Sequence, residues 1–439
     1  MQVSSRPMRW GRFGMAWMGV RGMSGDSPAN AQRNATIDDV AQAAGVSKGT
    51  VSNVINGRVT VAPETRRKVE QAIADLSFRP AESARALTSR KRMDFEPKLD
   101  ASVPRLTAVG YVSVDYFACL DRLPEREERR LSREIIKSIG GPAANVAAIA
   151  AGLGAPLQLA VSLITVIGMD QESDWAAAEL ADRRVDLIVP REPRQGRLDR
   201  AIVMVEADGR RTIINEPSNL AEVDVRRFIE TNDPAGTSWC LHLEGYQVPR
   251  QIGLMAAARA KGFRTSMQAT GLTTEWLARH AGEMFAAFDI VVLHRETLAM
   301  IPGCPAEPEA GLKHLAARAA KADAWPEIVA VTLGAEGAAT LTRGGRIDHV
   351  PAIPVPVIDK TGAGDAFVGA FLAAWLNQRS AREAASLACI AGSLAVTCFG
   401  AQELRPLADD LTGCRESAAE LAITPETSRS TDRVAVDLS

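Results

Sequence analysis

Residues 359–371 read DKTGAGDAFVGAF, and the fold of most of the chain turns on this stretch. Three residues without bulk, Gly362, Ala363 and Gly364, stand at the head of an apolar helical run. Backbone N–H groups and the positive end of the helix converge on such a turn, so an anion hole is expected there. Asp365 comes next and places a carboxylate beside the hole. It could take the proton of an attacking hydroxyl while negative charge builds on a transferred phosphoryl group. The simpler reading is a glycine turn with an acidic N-terminal cap, a common place for Asp.

On the amino-terminal side of this stretch, strand-like runs alternate with helical ones. LTAVGYVSV (106–114), RAIVMVEADGRRTII (200–214), DIVVL (289–293) and EIVAVTLG (327–334) have strand character. GGPAANVAAIAAGLG (140–154), QIGLMAAARAKG (251–262) and DAFVGAFLAAWLN (365–377) have helical spacing. This alternation predicts an α/β fold over 105–411 with a largely parallel sheet flanked by helices, the ADG and RGG turns marking hairpins. No GxxxxGK[ST] string occurs, which excludes a Walker-type phosphate loop.

Residues 35–90 are helical throughout in pattern. Thr36 and Asp39 have capping-box spacing, Ile37, Val40, Ala41 and Ala44 share one helical face, and Gly45 stops that helix. Ser47 caps a second helix that ends at Asn56-Gly57, and Pro63-Glu64 opens a third, anchored by Val69, Ile73 and Leu76. Between Arg33 and Arg92 eleven basic residues face six acidic ones, a surplus that suits a polyanionic partner. The whole chain carries a formal charge of only -2.

At 439 residues the chain exceeds a single core. It has no apolar run long enough for a membrane span. Six cysteines, without CxxC pairs or His at metal-ligand spacing, predict free thiols in a reducing, cytoplasmic setting. Residues 1–34 are expected to be an irregular leader rather than a signal peptide, 91–104 a charged linker, and 412–439 a flexible tail.

The amino-terminal block, TIDDVAQAAGVSKGTVSNVINGR followed by VAPETRRKVEQAIADLSFRP, resembles the helix-turn-helix headpiece of the lac repressor family over about 55 residues. The resemblance implies a second helix in the major groove of an operator, with Lys48 and Asn53 at base edges and Ser47, Thr50 and Ser52 near phosphates. Gly49 can read nothing by its side chain. PAESARALTSR (80–90) resembles the family's hinge helix, whose minor-groove wedge would be Leu87. A plain three-helix module with Leu87 in its core is the alternative.

The block over 105–411 resembles the ribokinase, or phosphofructokinase B, family through GGPAANVAAIAAGLG and DKTGAGDAFVGAF. The resemblance implies a three-layer α/β/α domain with a small β lid, an ATP-dependent sugar kinase using Mg2+ and a monovalent cation, and lid sheets that pair two subunits into a homodimer. It implies Asp365 as catalytic base and Gly362, Ala363 and Gly364 as the anion hole. Asp115, at the end of the domain's first strand, with Gly140, Gly141 and Asn145, would contact the sugar. Thr332, Gly334, Gly337 and Thr361 would lie at ATP, although 332–337 is as readily a structural strand-to-hairpin turn. Three departures stand out. Where the family carries Asn-x-x-Glu this chain has His294-Arg295-Glu296-Thr297, leaving Glu296 as a candidate metal ligand one residue out of place. Gln268 stands where the family often has Asp, and the lid region 118–139 is unusually charged. The alternative to a working kinase is a regulator whose kinase-like domain only senses a sugar or nucleotide.

Overall fold

The computed structural model describes residues 37–46, 65, 67–69, 71, 72, 103–189, 196–206, 209–216, 218, 220, 223–403 and 406–423. The chain divides into two units, one up to Thr88 and one from Ser89.

In the first unit α1 spans Ile37–Ala44 and buries Val40 and Ala41. Gly45 takes φ +65°, its N–H donates to Gln42 O at 3.2 Å, and that of Val46 donates to Ala41 O at 3.0 Å. This paired closure is the Schellman motif, which explains why glycine stops the helix. Residues 65, 67–69, 71 and 72 are helical, with Val69 buried as the spacing predicts and Ala72 buried as well; Ile73 and Leu76 lie outside the described residues. Ser47, Lys48, Thr50, Ser52, Asn53 and Leu87 lie outside the described residues.

In the second unit, thirteen strands form two sheets. The strands are β1 (Arg105–Val109), β2 (Ser113–Cys119), β3 (Ile135–Gly140), β4 (Ala160–Ile164), β5 (Val185–Ile188), β6 (Asp199–Val205), β7 (Arg211–Asn215), β8 (Trp239–Leu243), β9 (Arg264–Gln268), β10 (Ile290–His294), β11 (Ile328–Thr332), β12 (Ala338–Thr342) and β13 (Ile347–Val350). The large sheet has the order β13-β12-β11-β10-β9-β8-β1-β4-β5, and the lid has the order β3-β2-β6-β7. In the large sheet the pairs from β5 through to β11 run parallel; β12 and β13 add an antiparallel edge. All five residues of β8 are buried, as expected where helices cover both faces of a parallel sheet. The helices are α2 (Pro142–Gly152), α3 (Gln171–Asp182), α4 (Arg226–Thr231), α5 (Val248–Ala260), α6 (Thr274–Ala287), α7 (Arg295–Met300), α8 (Pro308–Ala319), α9 (Ala363–Leu376), α10 (Ala381–Ala395) and α11 (Ala408–Ile423). Two apolar clusters lie against the sheet, one including α2, α9 and α10 and the other including α5, α6 and α8.

Three expectations are corrected. LTAVGYVSV is two strands: β1 stops at Val109 and the chain passes to the lid sheet as β2, so Asp115 sits in a lid strand rather than at the end of the first strand. The break falls at Gly110, where a Cβ would run into the Glu244 carboxylate. The charged stretch supplies the loop between β2 and β3 more than the lid strands. There Arg122 grips Glu128 through two bonds of 2.9 Å, and Arg133 pairs with Asp121, exposed contacts that neutralise charge but stabilise little. The helix α11 continues to Ile423, through the position where a flexible tail was expected to begin. Both hairpins form as expected: Gly209 (φ +78°) turns β6 into β7, and Gly345 (φ +83°) turns β12 into β13. All six cysteines are free, and no helix among the described residues is long and apolar enough to cross a membrane.

The core on the α9 side is built on full-length apolar packing, with Phe371 0% exposed and stacked on Phe367 at 5.9 Å between centroids. Phe371→Ala should lower unfolding free energy by about 3–5 kcal/mol, read by denaturant titration. A loss below about 1 kcal/mol would contradict this packing.

Candidate active site

The helix α9 begins on Gly362, whose φ of +76° and closeness to Ala401 leave no room for a side chain. A Cβ on Gly364 would stand 3.0 Å from His294 Cε1, so this turn is closed by packing from two sides. Gly362, Ala363 and Gly364 thus present backbone N–H groups at a helix N-terminus, as the sequence predicts.

Asp365 lies in the first turn of α9. Asn145 Nδ2 donates to its Oδ2 at 2.7 Å, and Gln268 Nε2 donates to its Oδ1 at 2.9 Å. Burial is the dominant influence and lifts its pKa to about 6, opposed by the two amide donors and by Arg211. Such a carboxylate is poised close to neutral pH, where a general base works best. Gln268 explains its own departure from the family pattern: an Asp there would set a second negative charge against Asp365, whereas the amide donates to it.

Asn145, in α2, also accepts from Gln402 Nε2 at 2.8 Å. Asp115, which like Asp365 acts on Tyr111, is held by Ser113 Oγ at 2.9 Å and raised to about 6 by burial. Gly140 and Gly141 have steric reasons of their own. A side chain on Gly140 would strike the Asp115 carboxylate, and Gly141 (φ +101°) passes against the Tyr111 carbonyl.

Sequence reasoning missed Glu244. It is 0% exposed, just beyond the carboxyl end of β8, and accepts from Tyr111 N at 3.0 Å and from Ala143 N at 3.1 Å, in the first turn of α2. Burial, reinforced by nearby Asp365, pushes it up to about 8 against those backbone donors. Its signal was a lone Glu closing the buried run WCLHLEG (239–245) at the end of a parallel strand, where α/β ligands bind. Tyr111 and Tyr246 meet edge to face at 5.8 Å beside it.

On the side expected for the nucleotide, Thr332 Oγ1 is bonded to His294 Nδ1 at 2.9 Å, and His294 Nε2 to Thr270 Oγ1 at 3.2 Å. Gly334 and Gly337 bracket a one-turn 3-10 helix; Gly337 (φ +96°) crosses the Val350 carbonyl so closely that only glycine fits. Arg295 braces that turn through Glu336 at 2.6 Å and the Leu333 carbonyl at 3.2 Å. Thr361 Oγ1 donates to buried Asp359 at 2.7 Å and accepts from Arg211 Nη1, in lid strand β7, at 2.8 Å. Glu296 is exposed on α7, while Thr297, at the family's Glu position, is buried, so Glu296 does not take that carboxylate's place. No group of three or more His, Cys, Asp or Glu among the described residues could hold a metal ion. The donors here do not form an all-protein Mg2+ site.

Glu244 ionises at higher pH in the folded protein than in the unfolded one, so between about pH 5 and 8 the folded state holds the extra proton. Its contribution to stability therefore falls as pH rises through that window. Glu244→Gln should flatten the decline, measured by denaturant unfolding across pH. It should also cost about 1–3 kcal/mol at pH 5, because one backbone N–H then faces an amide donor. An unchanged slope would contradict the assignment.

Residues 103–408 match the pfkB family carbohydrate kinase, and residues 36–81 match the bacterial regulatory proteins of the lacI family. The chain is 29% identical over 310 residues to an ATP-dependent ribose-1-phosphate kinase of Halopiger xanaduensis, covering 70% of this chain and 96% of that protein. Catabolite control protein A of Priestia megaterium is 52% identical over 58 residues, 13% of this chain and 18% of that protein. The solved structure of Arabidopsis thaliana ribokinase complexed with ribose and ATP shares the fold with TM-score 0.57 and 24% identity, covering 72% of this chain and 99% of that one. With the catalytic-domain match spanning more than half its length, this chain belongs to the pfkB family of carbohydrate kinases, fused to a lacI-type DNA-binding segment at its amino-terminal end.

Proposed function

We propose that the second unit transfers the terminal phosphoryl group of ATP to a hydroxyl of a sugar, and that the first unit carries this activity, or the ligand state behind it, to a DNA operator. The observation that carries the reading is Asp365: a partly buried carboxylate, raised to about 6, beside a glycine-built helix N-terminus. In this reading Asp365 accepts the hydroxyl proton, and the N–H groups of 362–364 stabilise charge on the phosphoryl oxygens. Asp115, Asn145 and Glu244 hold the acceptor, while Thr332, Gly334, Gly337 and Thr361 border the nucleotide. Arg211 reaches from the lid to Thr361 and adds positive charge at the phosphate end. Mg2+ would enter on the nucleotide phosphates, as this ion does where proteins supply few ligands. The buried carboxylate Asp359 accepts from Thr361 and Gly400 and keeps lone pairs with which it would hold a monovalent cation beside the 362–364 turn.

The replaced His294 and Thr297 favour a second reading, a regulator that senses a sugar without appreciable turnover. Asp365→Asn separates the two. It should cut phosphoryl transfer by about 10²- to 10⁴-fold while leaving sugar, ATP and DNA binding intact, because the amide is nearly isosteric. A ligand shifts an equilibrium only through differential affinity for its states, so under the sensor reading the mutant keeps a sugar response in DNA affinity. Unchanged turnover would sink Asp365 as base. A sugar response lost with turnover, despite retained sugar binding, would sink the sensor reading.

A cytoplasmic homodimer on a palindromic site completes the proposal. The outer lid face exposes Ile135 (70%), Ile202 (48%) and Ile214 (54%), an apolar patch that pairing of two lids would cover. Two headpieces would also double the contacts of one. Sedimentation is expected to give a dimer that Ile202→Lys dissociates; monomer alone, with and without DNA, would remove the idea.

A further inference from the structure

Asp365 owes its orientation to a line of three amides. An amide can donate to a carboxylate in only one of its two orientations; turned by 180°, it sets oxygen against oxygen. For Asn145 that choice is made from behind. Gln402 Nε2 donates to Asn145 Oδ1 at 2.8 Å, so Asn145 Nδ2 is the group left to donate to Asp365, at 2.7 Å. Gln402 comes from the segment after α10, 257 positions from Asn145, and is 1% exposed. In a buried setting its donation polarises the amide beyond it and strengthens the charge-assisted bond at the far end.

We propose that Gln402 is a positioning residue for phosphoryl transfer, acting through Asn145 to hold the Asp365 carboxylate in one orientation beside the anion hole. The inference rests on the reading of Asp365 as base. Among the described residues Asn145 and Gln268 are the side-chain donors to that carboxylate. The titratable groups around it come from other elements. Arg211 on β7 favours its charge, whereas Asp365 in turn raises Glu244 after β8 and the phenols of Tyr111 and Tyr246. Asp115 lies on β2, and His294, at the end of β10, packs against Gly364. None of these selects the Asn145 orientation.

Two substitutions in the full-length chain separate orientation from packing. Gln402→Met keeps length and volume but removes the donor, so Asn145 can turn. Gln402→Glu is isosteric but, when ionised, can only accept, which draws Asn145 Nδ2 away from Asp365. Losing a donor to the ionised form moves a carboxylic acid upward. The Asp365 titration is therefore expected to shift up by about one pH unit in Gln402→Met, the scale of one charge-assisted hydrogen bond, and further in Gln402→Glu. The readout is the carboxyl-carbon resonance of aspartate-labelled protein, identified by its loss in Asp365→Asn, beside the pH profile of kcat. The acidic limb of that profile should follow the resonance, with KM for ATP unchanged. Because the resonance is read without turnover, failure of Asp365→Asn to slow the reaction would count against the base reading alone. An Asp365 titration equal to wild type in either folded variant would overturn the positioning role. Loss of folding in both would overturn it too, making Gln402 a structural residue.

Discussion

A carboxylate drawn partly out of water must be met by donors or it will keep its proton, and this constraint on Asp365 organises the candidate site of the second unit. Its two direct donors come from α2 and β9, and the amide behind Asn145 comes from beyond α10. These elements are far apart in sequence and are brought together because parallel strands and crossover helices deliver their ends to one edge of the sheet. The glycines at 110, 140, 141, 362 and 364 are the steric counterpart: a side chain at any of them would press on the site or the backbone around it.

Three acids, Asp115, Glu244 and Asp365, act on Tyr111, and each is raised by burial. The cation acting on Asp365 is on the lid, where Arg211 bonds Thr361. Lid position and the titration of Asp365 are therefore linked through Arg211.

The departures from the family pattern share one direction. His294, Thr297 and Gln268 put neutral groups where the pattern has Asn, Glu and Asp, which removes two carboxylates from the neighbourhood of Asp365. His294 is held neutral by burial and ties Thr332 to Thr270. The result is a hydrogen-bonded line Thr332–His294–Thr270 beside Gly364.

The two-unit plan, the alternation of strands and helices, the glycine turn before α9 and the glycine stop of α1 were all legible in the amino-acid sequence. Each depends on local chemistry: periodicity, the absence of a side chain, or a helix end. Asp365 and Asn145 could be singled out because short motifs carry them, whereas Asp115 was expected at the end of the first strand and stands in the lid. The folded chain was needed to show that LTAVGYVSV breaks between two sheets, that Gln268 bonds Asp365 with Glu244 close by, and that Gln402 bonds Asn145. Those facts depend on which residue stands opposite which across the sheet edge. Burial and hydrogen-bond partners are properties of that meeting, and no single segment contains them.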